Sequence, residues 1–184
     1  MDYYTDITLI PDPDFLPPML MSALFNKFHR GLVSQGLGKI GVSFPKLKTH
    51  LGEVLRLHGT VEALDGFMAQ PWLTGMRDHC RVGEILPVPD SCEYVTVSRV
   101  QSKSNVDRLR RRAQKRHGYT EQEAQERIPD GVEEALSLPF VRVSSQSTGQ
   151  RFCLFIQQTI SQQKSESGKF SAYGLSSSTT VPWF

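Results

Sequence analysis

The segment from Arg99 to His117 constrains this chain most, because it carries eight basic residues against one acid, Asp107. Ser104 with Asp107 matches a capping box, which predicts a helix that begins at the residue after Ser104. Gly118 supplies the residue tolerant of positive φ that commonly follows a last helical turn. We therefore expect one strongly basic helix here.

Most basic side chains of this helix share one face. Repulsion between like charges destabilises the isolated helix, and a polyanion lying along the face removes that cost. A nucleic acid backbone is the obvious polyanion. The alternative is an ordinary solvated helix, which interleaved acids would favour, but the helix body has none. By their spacing of three and four residues, the basic face contains Arg108, Arg111, Arg112, Lys115 and Arg116.

The formal net charge of +2 conceals an asymmetry between the two halves of the 184-residue chain. Residues 1–92 carry 8 basic and 10 acidic side chains, whereas residues 93–184 carry 13 basic and 9 acidic ones. The basic character therefore belongs to the second half, and mostly to the one helix. The remaining composition is ordinary for a globular protein that buries a core.

The spacing of the cysteines and the lack of long apolar runs limit the cellular compartment in which the protein is expected. Cys80, Cys92 and Cys153 form no C-x-x-C pair, which argues against a disulfide framework or structural zinc and favours a reducing compartment. No apolar run approaches the roughly 20 residues that span a membrane, and no signal peptide opens the chain. We expect a cytoplasmic protein without a membrane partner. No metal-spaced cluster or phosphate-binding loop is recognisable, so we expect no metal and no cofactor.

The hydrophobic periodicity predicts an α+β protein with two domains, residues 1–91 and 92–184. The first has the element order β-α-β-β-α-β, the ferredoxin-like arrangement. Its predicted elements are strand Tyr3–Ile10, a helix from Pro17 to about Gln35, strands Lys39–Phe44 and Val54–His58, a helix from Val61 to about Gly75 that Pro71 breaks or kinks, and strand His79–Val88.

The second predicted domain is smaller, also α+β, and combines the arginine-rich helix with a β-hairpin. Thr120 and Glu123 form a second capping box, which predicts a short helix that ends before Pro129. The other predicted elements are strand Glu93–Gln101, a hairpin over Phe140–Gln157 with its turn at Thr148–Gly149, strand Phe170–Leu175, and a serine-threonine loop over Ser176–Thr180.

His29 and Tyr173 are candidates for chemistry. By helical angle His29 lies beside the apolar stripe of the first helix, near Phe25 and Val33. It is either a structural histidine or a group that transfers protons at the solvent-accessible edge of the core. The Tyr173 hydroxyl either orients a histidine by a hydrogen bond, or the Tyr173 ring has only a packing role.

The hairpin turn is polar on both faces over Ser144–Gln150, unlike a buried strand. Its hydroxyls can hold a sugar or a phosphate, but serine and threonine are also ordinary turn residues. Phe152, just past the turn, is either a core residue or a platform on which a base stacks.

Several short motifs stand out along essentially the full length of the chain. They are Pro11–Pro13, Gly41–Pro45, Ser98–Gln101, the arginine-rich helix, Ile128–Asp130, Leu138–Val141, Ser145–Gln150, Tyr173–Leu175 and Val181–Phe184. Together these motifs resemble the type I-F CRISPR-associated endoribonucleases, which process precursor CRISPR RNA, and the combination is highly specific.

The resemblance implies an enzyme that cuts each CRISPR repeat once, 3′ of its stem-loop, without a metal. The 2′-hydroxyl would attack the adjacent phosphate and leave a 2′,3′-cyclic phosphate and a 5′-hydroxyl. His29 would remove the hydroxyl proton, Tyr173 would orient the imidazole, Ser145 would hold the ribose, and Ser147 would assist. The protein would stay on its product hairpin and join other subunits of the type I-F surveillance complex.

The resemblance also implies an RNA-binding set. Arg99 and Gln101 would read bases near the foot of the stem, and Phe152 would stack beneath the last base pair. The basic helix would contact the major groove of the stem. Lys115 stands where the family pattern has arginine, so a bidentate contact by a guanidinium would be replaced by the point charge of an ammonium group.

Two other functions compete with this one. A non-catalytic protein could bind the same hairpin with an idle histidine. A DNA regulator could use the basic helix in a groove, although the chain has no helix-turn-helix pattern.

Overall fold

The computed structural model describes residues 1–35, 38–101, 106–129, 137–144 and 149–184. Contacts group the chain into two compact units, residues 1–99 with 138–184, and residues 100–137. The α+β class is confirmed, since antiparallel sheets and helices are both present. The predicted domain boundary at residue 91 falls between the strands of two sheets and stays a prediction. No helix within the described ranges is long and apolar enough to cross a membrane.

The first sheet has five strands. They are β1 (Tyr3–Leu9), β2 (Gly41–Ser43), β3 (Val54–Gly59), β4 (Cys80–Val82) and β5 (Leu86–Pro87). The order is β2-β3-β1-β4, with β5 also on β1, and the pairs are antiparallel. The single strand predicted over His79–Val88 is wrong, because residues 83–85 interrupt it and leave two short strands, β4 and β5. A Cβ at Gly83 would lie 3.2 Å from the Asp6 carbonyl oxygen, so the backbones approach closely there.

Two helices accompany this sheet, α1 (Pro17–Gln35) and α2 (Val61–Met68). The prediction for α1 is confirmed. The second predicted helix was too long, since α2 ends before Pro71 and a short 3-10 turn, Pro71–Leu73, follows. Proline cannot donate the backbone hydrogen bond that would continue α2.

The second sheet contains β6 (Glu93–Val100), β7 (Phe140–Ser144), β8 (Arg151–Ser161) and β9 (Thr180–Trp183), in the order β7-β8-β6-β9. The strand pair of the predicted hairpin is confirmed, since β7 and β8 are antiparallel neighbours, while Thr148 of its predicted turn lies outside the described residues. Strand β9 was not predicted. Proline is tolerated in β9 because this strand lies at the edge of the sheet, where half of the N–H groups are outside the ladder.

The strand predicted over Phe170–Leu175 is wrong. These residues form a turn in which the Ser171 amide donates to the Leu175 carbonyl oxygen at 2.9 Å. Gly174 has φ +67°, a conformation that side chains with a Cβ rarely adopt.

One hydrophobic core joins α1 to both sheets. It runs from Ile7 of β1 through Phe25 and Phe28 of α1 to Val141 of β7 and Leu154 of β8. All five side chains are buried. The face of α1 that the periodicity predicted is the face that is buried.

The second unit contains α3 (Val106–His117) and α4 (Glu121–Arg127). Gly118 has φ +68°, as its predicted place after the last turn requires. The capping box of Thr120 and Glu123 is confirmed. The predicted box at Ser104 lies outside the described residues. The Arg110 Nε donates to the Ile128 carbonyl oxygen at 2.9 Å and so ties the two helices together.

His58 of β3 is fully buried and is not part of the predicted site. Its Nε2 lies 2.8 Å from the Ser43 hydroxyl, while its Nδ1 has no partner among the described residues. Burial, helped by the nearby Arg56 charge, lowers the pKa of His58 from 6.5 to about 3. The folded chain therefore holds this imidazole neutral.

His58 should make stability fall with acid. Between pH 6.5 and 3 the unfolded chain protonates His58 and the folded chain does not, so the free energy of unfolding decreases as pH falls. We expect a loss of about 2 kcal/mol between pH 7 and pH 5 in urea denaturation. His58→Gln, which retains an amide for Ser43, should remove this dependence. Equal losses in both proteins would contradict the assignment.

Candidate active site and nucleic-acid surface

His29 lies on α1, half-buried at the edge of the core, as its helical angle predicted. Its Nδ1 is 2.7 Å from the carbonyl oxygen of Ala172. Because a carbonyl oxygen can only accept, Nδ1 carries the proton and the Nε2 of the neutral ring is left as an acceptor. The imidazole is therefore set to take up a proton at Nε2.

Tyr173 meets His29 with the face of its ring. The two ring centroids are 4.1 Å apart and the planes differ by 18°. Phe25 stacks on Tyr173 as well, at 6.3 Å and 4°. Of the two predicted roles for Tyr173, these contacts describe packing, and the Ala172 carbonyl supplies the hydrogen bond to His29. Sequence reasoning missed Ala172, because a backbone carbonyl leaves no signal in residue type.

The turn that presents these groups is anchored to the first sheet. The Val42 amide donates to the Gly174 carbonyl oxygen at 3.0 Å. A Cβ at Gly174 would lie 3.0 Å from the Val42 side chain and 3.1 Å from the Phe28 ring. Glycine is thus required there both by space and by its positive φ.

Asn26 connects α1 to β7 and was also missed. Its Nδ2 donates to the Arg142 carbonyl oxygen at 2.7 Å, and its Oδ1 accepts from the Ser144 amide at 3.0 Å. The Ser22 hydroxyl accepts from the Arg142 amide at 3.2 Å. The sequence did contain a signal for this contact. A row of polar residues at spacings of four and three, Ser22, Asn26 and His29, places them on one face of α1.

The predicted ribose-binding residues, Ser145 and Ser147, lie outside the described residues. Ser144, which precedes Ser145 in the chain, is the residue that Asn26 holds. The described end of β7 is therefore fixed to the helix that carries His29.

Arg99 and Phe152 lie close together on neighbouring strands of the second sheet. The Arg99 guanidinium carbon is 5.5 Å from the centroid of the Phe152 ring, a cation–π distance. Arg99 is exposed, and Phe152 is half-buried against the core. This pair offers a flat apolar ring beside a positive charge. Gln101 follows β6 and is exposed.

The basic face of α3 is exposed, as predicted. Val106 is buried, and Leu109 and Ala113 are half-buried, so the apolar stripe packs while the charges face solvent. The exposed basic residues are Arg108, Arg111, Arg112, Lys115 and Arg116.

The remaining histidines outside the core have surroundings of their own. His79 pairs with Asp12 at 3.1 Å, and His50 and His117 are exposed. Across the described ranges, no three side chains of metal-binding type come together.

Comparison with known proteins decides the family. A family model described as CRISPR-associated protein (Cas_Csy4) matches residues 4–184. The chain belongs to the Cas_Csy4 family. A relative from Pseudomonas aeruginosa (strain UCBPP-PA14) is 54% identical over 187 residues, and one from Escherichia coli (strain UTI89 / UPEC) is 45% identical over 184. Each alignment covers 100% of both chains, and each relative is named CRISPR-associated endonuclease Cas6/Csy4. The resemblance drawn from the motifs is thus confirmed.

Asn26 gives a prediction that concerns the link between α1 and β7. Asn26→Ala removes the acceptor of the Ser144 amide and a donor to Arg142, and should lower the free energy of unfolding by about 1–2 kcal/mol. Hydrogen exchange at the Ser144 amide should accelerate more than exchange elsewhere in β7. Ser34→Ala is the matched control, because that hydroxyl donates within α1, to the Gly31 carbonyl oxygen. Unchanged Ser144 exchange in Asn26→Ala would contradict the link.

Proposed function

We propose that this chain is an endoribonuclease that cuts CRISPR repeat hairpins in precursor CRISPR RNA, once per repeat and just 3′ of the stem-loop, without a metal. The observation that carries the proposal is the geometry of His29, whose Nδ1 is bonded to the Ala172 carbonyl and whose Nε2 remains an acceptor. Membership of the Cas_Csy4 family and the names of both full-length relatives support it.

The reaction uses a nucleophile that RNA itself supplies. His29 Nε2 takes the proton of the 2′-hydroxyl before the cut, and the 2′-oxygen attacks the adjacent phosphorus. The bond from phosphorus to the 5′-oxygen breaks, and that oxygen takes a proton from water. The products are a 2′,3′-cyclic phosphate and a 5′-hydroxyl. General-base help of this kind contributes about 10²–10⁴-fold in rate.

Holding the 2′-oxygen in line with its phosphate contributes further to the rate. We assign this to Ser145, which binds the ribose, with assistance from Ser147. The assignment rests on the family resemblance and on the tie between Asn26 and Ser144, directly before Ser145. Tyr173 restricts the imidazole by covering one face of it.

RNA binding is assigned to two surfaces. The basic face of α3 neutralises phosphates along the stem, and a short hairpin with open ends can admit a helix into a groove that is too narrow in long duplexes. Arg99 and Gln101 read bases at the foot of the stem, and Phe152 stacks beneath the last base pair. The 5.5 Å approach of Arg99 to Phe152 supports a shared role at that position.

The proposal extends to the setting of the enzyme. So dense a basic helix favours retention of the product hairpin, and with it membership of the type I-F surveillance complex in the cytoplasm. We assign residues 1–91 to a ferredoxin-like domain, which the order β2-β3-β1-β4 and the two helices support.

His29→Ala should abolish cutting and leave hairpin affinity unchanged, because it removes the base and no phosphate contact. The measurement is a gel assay with a type I-F repeat RNA in excess EDTA, beside the same RNA with one 2′-deoxy nucleotide before the cut. Wild-type protein should cut the first RNA and not the second. His50→Ala, at an exposed histidine, is the control and should cut normally.

Three results would overturn parts of this proposal. Cutting of the deoxy RNA would exclude attack by the 2′-hydroxyl. Loss of cutting in EDTA would exclude the metal-independent route. RNA that is bound by the wild-type protein but left whole, with a second repeat sequence also left whole, would establish a non-catalytic hairpin-binding protein.

Arg112→Gln with Arg116→Gln should weaken hairpin binding and flatten its salt dependence, because each phosphate contact contributes about 0.7–0.9 to the slope of log K against log salt. The measurement is hairpin affinity across a salt series. Arg77→Gln with Arg81→Gln, at two exposed arginines outside α3, is the matched control for the loss of two exposed charges. An unchanged slope in the double variant would remove α3 from the RNA-binding surface.

A further inference from the structure

We propose that a pocket on α1 binds a backbone phosphate of the RNA strand that continues 3′ of the cut. This inference rests on the proposed function. The pocket, called the flank pocket below, has a volume of about 320 Å³ and lies between α1 and the 3-10 turn at Pro71. Its polar lining consists of Lys27, Arg30, Ser34, Gln70 and Thr74.

The flank pocket is lined by two cations without a counter-charge. Among the described residues, no carboxylate lines it and neither Lys27 nor Arg30 forms an ion pair. Lys27 Nζ donates to the Thr74 carbonyl oxygen at 2.5 Å, which fixes the ammonium and leaves two N–H groups. Arg30 Nε donates to the Asn26 carbonyl oxygen at 3.2 Å, which leaves the outer guanidinium nitrogens available. Such a lining favours an anion.

The shape of the flank pocket is set by packing behind it. Trp72 is buried with its ring 4.9 Å from that of Phe67. Gly31 lets this turn approach α1, since a Cβ there would lie 3.0 Å from Phe67 and 3.2 Å from the Trp72 Cβ. The donors are therefore held on two elements that pack tightly together, as in preformed binding sites.

The position of the flank pocket identifies the strand. On one side α1 contacts β7 through Asn26, and on another side it contacts the 3-10 turn through Lys27 and Gly31. In the proposed function the stem stacks on Phe152 of the second sheet and the scissile phosphate lies at His29.

Arg30 follows His29 on α1, and Lys27 lies toward the 3-10 turn, where it donates to the Thr74 carbonyl oxygen. The proposed function assigns the nucleotides 5′ of the cut to Ser145 and Phe152, so the strand that continues 3′ of the cut is the one left to reach Arg30 and Lys27. Phosphates recur along any strand, so the site needs no base identity.

The test compares three RNAs, each blocked by a 2′-deoxy nucleotide at the cut. One ends at the cut, the second continues several nucleotides 3′, and the third instead extends 5′ of the stem. Wild-type protein should bind the 3′-extended RNA about tenfold more tightly than the short one. Lys27→Gln with Arg30→Gln should abolish that gain and leave the affinity for the short RNA unchanged.

Matched variants separate the pocket from general effects of charge and folding. Arg30→Gln alone, at an exposed residue whose described hydrogen bond is within α1, should reduce the extra affinity for the 3′-extended RNA without disturbing the fold. Lys46→Gln with Lys48→Gln removes two positive charges outside the flank pocket, and this variant should still bind the 3′-extended RNA more tightly than the short one. The salt slope of the 3′-extended RNA should fall by about 0.7 for each phosphate that a pocket variant no longer neutralises.

Four outcomes would overturn the flank pocket, the strand assignment or the proposed function. Equal affinity for the short and 3′-extended RNAs, with the unblocked hairpin still bound and cut, would overturn the flank pocket alone. Tighter binding of the 3′-extended RNA that persists in both pocket variants would also overturn the flank pocket. A gain from the 5′ extension instead, removed by those variants, would overturn the strand assignment. Failure of the wild-type protein to bind or cut any repeat hairpin would overturn the proposed function itself.

Discussion

Burial of one face of α1 in a core shared by both sheets is the interaction on which the site depends. Phe25 and Phe28 are fully buried in a cluster that extends from β1 to β8. Removing each such ring from water contributes roughly 1.5–3 kcal/mol, so the helix cannot shift without a large loss. Asn26 and His29 lie at the edges of that face, so the buried rings fix their backbone and their own contacts then orient the side chains.

The C-terminal strand is locked to the same framework by Arg56. This buried guanidinium donates to Asp6 at 2.7 and 2.9 Å and to the Phe184 carbonyl oxygen at 3.0 Å. Its carbon also lies 4.6 Å from the centroid of the Tyr4 ring and 4.1 Å from that of Phe184. A buried charge is costly unless it is paired and bonded in this way. The edge strand β9 is thus tied to the first sheet as well as paired with β6.

The two compact units answer different physical demands. In the proposed function, proton transfer requires atoms held to within tenths of an ångström, and His29, Ala172 and Tyr173 belong to the unit with the large core. The proposed binding of RNA requires exposed positive charge, which would be costly to bury, and α3 in the small unit carries such charge. Separating these tasks keeps repelling charges out of the core.

The sequence by itself determined what depends on neighbours along the chain. The buried face of α1, the exposed basic face of α3, the capping box at Thr120 and the glycine after α3 all follow from spacings of one to four residues, and the motifs identified the family. Only the tertiary structure decided that the Ala172 carbonyl holds His29, that Tyr173 stacks on it, and that the chain turns at Gly174. His29 and Ala172 are 143 positions apart, and no local pattern encodes a contact made only when a distant turn packs against a helix.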